Sequence, residues 1–125
     1  MAFAGIAKYF TKALDITSTA TGSGADVLYT CPANFVSLIR FLHISNGSAN
    51  NKTYSVQYYN AADSTYKYVV DEHSLASNAL EEIIEGGGYI ALQPGDKLVC
   101  YAEATSDFHI VASGEEHYQP TQFLG

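Results

Sequence analysis

The sequence is poor in several things, and each shortage closes off a class of protein. It has no Trp, one Met, three Pro and two Cys, and only six Lys and Arg against 13 Asp and Glu. Six scattered basic residues and a formal net charge of -7 argue against gripping a phosphate backbone, which needs clustered Lys and Arg. Two cysteines, Cys31 and Cys100, do not make a disulfide framework, and they are expected to be reduced, with Cys100 buried as a small hydrophobe. No apolar run approaches the roughly 18 residues of a membrane span, and "MAFAGIAKYF" lacks the basic start and sustained apolar run of an export signal. The sequons "NGS" at Asn46 and "NKT" at Asn51 therefore read as turns.

What remains is a chain of 125 residues, 47% hydrophobic, with ten Tyr and six Phe. That is the size of one domain with a real core, and the aromatics favour pleated, half-buried strands. Gly, Asn, Ser and Pro recur at short intervals between extended segments. "TYSVQYYN" and "TYKYVVDE" flank "AADS" and predict a hairpin. Tyr54, Val56 and Tyr58 share one face of it; Tyr66, Tyr68 and Val70 are grouped by the same alternation, and all are assigned to the core, with Tyr59 outside. "HSLASNALEEIIEGGG" reads as a loop plus a strand near Leu80 to Ile84, with a helical turn as the alternative. The sum is seven or eight strands, which predicts an all-β, single antiparallel β-sandwich of immunoglobulin-like or jelly-roll type. Residues 1–125 form one domain, with 1–10 as an assembly arm and 117–125 as a tail.

In "LQPGDKL", Pro94 suits position i+1 of a type II turn and Gly95 the positive φ of i+2, with Asp96 bonding nearby amides. This corner is expected to be structural, so that Asp96→Asn leaves assembly intact. No catalytic, cofactor-binding or metal site is assigned. "DEHS" (Asp71, Glu72, His73, Ser74) places its neighbours on opposite strand faces. The pairs Asp71/His73 and Glu115/His117 lack a third ligand, and "EGGGY" lacks the Lys of a phosphate loop. Glu81, Glu82 and Glu85 have no enforced spacing across a cleft.

"NFVSLIRFLHISN" is apolar on both faces: Val36, Leu38, Leu42 and Ile44 on one, Phe35, Ile39 and Phe41 on the other, with Arg40 interrupting. A strand with one solvated face should alternate. The surplus, together with Phe3, Ile6, Tyr9 and Phe10 of the arm, marks candidate partner contacts.

The order of elements, with "YTCPA", a long strand closing on "SN", and "LQPGDKL", resembles small β-sandwich virion structural proteins of tailed bacteriophages, especially marine phages. The likeness runs from Lys8 to Glu116. It implies a capsid decoration or cement protein located in the virion and assembled in the host cytoplasm. Its expected partners are the major capsid protein or other virion proteins and copies of itself, with no enzyme activity and no cofactor. A neck, tail or fibre-associated role is the near alternative. A carbohydrate-binding module using exposed tyrosines is the alternative of another class.

Overall fold

The computed structural model describes residues 7–84 and 86–119. Nine strands follow one another: β1 (Ala7–Asp15), β2 (Asp26–Thr30), β3 (Phe35–Asn46), β4 (Lys52–Asn60), β5 (Thr65–Leu75), β6 (Leu80–Ile84), β7 (Ile90–Leu92), β8 (Lys97–Ala102) and β9 (Phe108–Tyr118). Among the described residues the helical content is one 3-10 turn, Gly22–Gly24, and no helix is long and apolar enough to cross a membrane. The predicted strand over Leu80 to Ile84 is present as β6.

The strands form two antiparallel sheets. Sheet A has the order β1-β9-β3-β6, with β7 also on β3; sheet B has the order β2-β8-β4-β5. The β4/β5 hairpin is innermost. Around it nest the pairs β3 with β6 and β7, β2 with β8, and β1 with β9. One long hairpin has thus been rolled into a sandwich, with β6 and β7 sharing a single strand position along β3. That nesting is the jelly roll. An immunoglobulin-like order would pair the first two strands in one sheet; here they lie in different sheets.

The core is the space between the sheets: Leu28 and Tyr29 of β2, Ile39, Leu42 and Ile44 of β3, Tyr54 and Val56 of β4, Leu98 and Cys100 of β8, and Phe108 and Ile110 of β9. Cys31 and Cys100 are free and buried, and burial pushes the Cys100 thiol up to about 12. Both ends of the sandwich are closed by buried polar groups. At one end the Asn46 amide donates to the carbonyls of Asn50 and Leu75, each at 2.9 Å, which explains the "SN" strand end. At the other, Tyr29 of sheet B donates to Glu116 at 2.6 Å and meets the Ser37 hydroxyl at 2.7 Å, both on sheet A. Burial, reinforced by Glu116, raises the Tyr29 pKa.

β-Bulges decide which way side chains face. Ile39 pairs with Gly114 and Phe41 with Ser113, so Arg40 is an extra residue in β3. A bulge reverses the period-two phase. Ser37 and Ile39 point inward before it; Leu42, Ile44 and Asn46 do so after it, and all five are buried. Gly114 lies opposite the bulge, where the backbones approach closely. A Cβ there would overlap the Leu38 carbonyl oxygen and lie 2.9 Å from its carbon and 3.1 Å from the Ile39 Cα. In β5, Val56 pairs with Val70 and Gln57 with Tyr68, which leaves Val69 extra. A further irregularity places Glu72 at φ 47°, its amide donating to the Ser55 hydroxyl at 2.8 Å.

Three sequence expectations are corrected by this fold. Ala7 to Phe10 belong to β1, paired with β9, so any arm is confined to residues before Ala7. β9 runs to Tyr118, so the tail does not begin at His117. Tyr66 and Tyr68 lie outside the core between the sheets: they pair with Tyr59 and Gln57 on the outer face of sheet B, because the Val69 bulge separates their phase from that of Val70, and Tyr66 packs there on a second, small buried cluster of Ala25, Val99 and Tyr101. Tyr54, Val56 and Tyr58 do share the core face.

Candidate interaction surfaces

The outer face of sheet A collects side chains from three neighbouring long strands. β1 supplies Tyr9, Thr11 and Ala13; β9 supplies Val111, Ser113 and Glu115; β3 supplies Val36, Leu38, Phe41 and His43. Among the described residues no strand lies over this face. Tyr9 is 83% exposed, and Leu80, on β6 at the far side, is 62% exposed. Phe41 lies half-buried against the His43 ring, at 5.3 Å between centroids. The His43 Nε2 atom is buried there without a hydrogen-bond partner among the described residues.

Charge crosses the middle of this face as one stripe, and Asp15 with His109 and, on β6, Glu82 bring further charge to its margins. Arg40 donates to Glu115 at 2.7 Å, and the other Glu115 oxygen meets His117 at 2.8 Å. The Arg40 hydrogen bond, with help from His117, holds the Glu115 carboxyl below its ordinary range. The guanidinium also lies 5.4 Å from the Tyr89 ring centre. Tyr9, Thr11, Arg40, Ser113 and Glu115 line a shallow groove of about 330 Å³.

The predicted contact residues divide sharply. Tyr9 and Phe41 are on the outer face. Ile39 is 0% exposed and is core, a correction that follows from the Arg40 bulge. Phe10 also faces inward, stacked on Tyr29 at 4.3 Å with an interplanar angle of 3°. Phe35 packs on the edge of the core beneath the Lys8 ammonium. Phe3 and Ile6 lie outside the described residues. Val36, Leu38 and Val111, which the sequence did not mark as contacts, also belong to the face. The lone Arg40 in an apolar run was the signal that would have placed them.

The outer face of sheet B carries Tyr59, Tyr66 and Tyr68. Tyr59 and Tyr66 pack at 4.7 Å, and the Tyr68 and Tyr101 hydroxyls meet at 2.8 Å. The β1–β2 connection folds against this face: the Thr21 hydroxyl and the Gly22 amide both donate to Gln57, at 3.1 and 3.0 Å.

The Pro94-Gly95-Asp96 corner is a turn as expected. Gly95 has φ 88°, and the Asp96 amide donates to the Gln93 carbonyl at 2.9 Å. Asp96 is buried, and its carboxylate accepts from the Gln93 amide, the Ala61 amide and the Tyr58 hydroxyl, each at 2.9 Å. Two more bonds join the corner to Cys31: the Cys31 amide to the Asp96 carbonyl and the Gly95 amide to the Cys31 carbonyl. "YTCPA" and "LQPGDKL" are therefore two halves of one joint.

Apart from His43, the histidines meet carboxylates rather than nucleophiles. His73 lies 3.3 Å from Glu81 on β6, which also accepts from Tyr54 at 2.6 Å; His109 meets Asp15 at 2.6 Å. Asp71, Glu72 and Ser74 do not join His73. Among the described residues no three His, Cys, Asp or Glu are grouped to hold a metal ion.

No protein-family model matches the chain, and no curated protein matches it. Among solved structures it is similar to the infectious bursal disease virus VP2 subviral particle, with 10% sequence identity and a TM-score of 0.34 over 93% of this chain. The chain spans 42% of that chain's length. A likeness of that degree carries no part of the functional argument.

Proposed function

We propose that this chain is a structural protein of a virion, in its most concrete form a decoration protein on the outer capsid of a tailed bacteriophage. The observation that supports it best is the outer face of sheet A, where the exposed Tyr9 and the half-buried Val36, Leu38, Phe41 and Val111 gather apolar side chains outside the core. A small jelly roll needs one apolar face per sheet, and this sheet carries large apolar side chains on both. Its partners in this reading are the major capsid protein or another shell protein, and copies of itself. A neck, tail or fibre position uses the same face. The reading assigns no catalytic step and no cofactor.

Full burial of one such side chain contributes about 1.5–3 kcal/mol, so half-buried ones contribute roughly 1 kcal/mol each. Four or five at one contact offset part of an association cost on the order of 4–15 kcal/mol. Repetition over a symmetric shell supplies the rest through avidity. Phe41→Asp is expected to keep the fold by circular dichroism and to weaken co-sedimentation with capsids lacking the protein at least tenfold. Deletion of residues 1–6, which spares β1, tests the arm separately. Undiminished capsid binding by Phe41→Asp would sink the assignment of this face.

A second reading is favoured by the outward placement of Tyr59, Tyr66 and Tyr68, which offers ring faces for stacking on sugars. A chain that ignores capsids and binds a glycan, with binding lost in Tyr68→Ala, is a carbohydrate-binding module instead.

A further inference from the structure

We infer that two copies of this chain pair through the free edge of β1, antiparallel about a two-fold axis at Thr11, joining their A sheets into one. Each sandwich has four edges. β2 is short and bulged, and β5 is broken by the Val69 and Glu72 irregularities. The remaining edge is shared by two short strands, β6 and β7. β1 differs: its nine residues pair with β9 in an unbroken register, and among the described residues nothing pairs with its other side. A straight edge of unpaired N–H and C=O groups is a template for another strand.

The sequence of β1 selects a copy of itself as that strand. A two-fold pairing that keeps both outer faces on the same side must place residues of like parity opposite one another. Centred on Thr11, it overlaps all nine residues: Ala7 opposes Asp15, Lys8 opposes Leu14, Tyr9 opposes Ala13, Phe10 opposes Lys12, and Thr11 opposes itself. No charge faces a like charge, and each large exposed Tyr9 lies beside a small Ala13. Centred on Phe10, the pairing sets Lys8 against Lys12 twice; centred on Lys12, it sets that lysine against its own copy. Like charges directly opposite are destabilising. The two lysines, which would blunt an indiscriminate edge, here penalise the neighbouring registers and leave one. The product is a continuous sheet whose outer face carries both sets of apolar side chains side by side.

The pairing is a property of the chain in solution whatever shell it joins, so its failure leaves capsid binding by Phe41 untouched. The test is Thr11→Cys in the full chain. Directly opposite residues of an antiparallel pair have Cα atoms about 4.5–5.5 Å apart, within the range of about 4.4–6.8 Å that a disulfide spans. The native Cys31 and Cys100 are buried and do not compete. The wild-type chain is expected to sediment as a dimer at about 100 µM. Under mild oxidation Thr11→Cys is expected to become a covalent dimer at least tenfold faster than Ala13→Cys. A mixture of Tyr9→Cys and Ala13→Cys should yield the mixed dimer. A wild-type monomer at that concentration overturns the inference, and so does a dimer in which Thr11→Cys links no faster than Ala13→Cys.

Discussion

Replacing Ile39 and Phe41 by alanine, one at a time, separates the two faces of β3. Both are large apolar residues two positions apart, and simple alternation gives them the same environment. The Arg40 bulge gives them opposite ones: Ile39 is fully enclosed between the sheets, and Phe41 is half-buried on the outer face. Ile39→Ala removes the buried atoms and leaves a cavity, at a cost of about 2–5 kcal/mol. For a domain of this size that corresponds to a fall in Tm of roughly 8–20 °C, at about 4 °C per kcal/mol. Phe41→Ala forfeits only the covered part of one ring, about 1–2 kcal/mol. Urea unfolding followed by circular dichroism gives both values at constant m. The order should invert for shell binding, which Ile39→Ala spares as long as it is folded and Phe41→Ala weakens. Equal costs at the two positions, or a cost below about 1 kcal/mol for Ile39→Ala, would refute the bulge and return Ile39 to the surface.

The corner and the tyrosines yield two further expectations. Asp96→Ala orphans three donors at one site and should cost about 3 kcal/mol or more, whereas Gly95→Ala, strained at φ 88°, should cost about 1 kcal/mol; an Asp96→Ala chain as stable as wild type in urea would contradict the latch. Tyr58 is pushed up to about 12 by burial and by its bond to Asp96, and Tyr29 and Tyr54 are raised by burial and by Glu116 and Glu81. Because these folded-state values lie above the ordinary value of 10.0, the folded chain holds more protons than the unfolded one above that pH. The stability they contribute is therefore complete below pH 10 and falls as pH rises through 10 to 12 and beyond. Urea midpoints at pH 8 and pH 11 should show the loss, smaller in Tyr58→Phe; a phenolate absorbance titration in which every tyrosine of the folded chain ionises near 10 would contradict it.

The sequence by itself determined the local features. Turn residues at short intervals set the strands, alternation placed Tyr54, Val56 and Tyr58 in the core, and Pro94-Gly95 fixed the corner. These follow from φ preferences and from a side-chain period confined to a few residues. The tertiary structure decided the phase. A bulge adds one residue to one strand and reverses every side chain beyond it, and its position depends on the partner, as Gly114 opposite Arg40 shows. That reversal moved Ile39 into the core and left Phe41 outside; at Val69 it carried Tyr66 and Tyr68 onto the outer face of sheet B. The buried polar joints were equally out of reach: Tyr29 meets Glu116 across 87 positions of sequence and Tyr58 meets Asp96 across 38. A pattern read along one strand reports which residues alternate, but which half of them meets the other sheet is settled only when the strands pair.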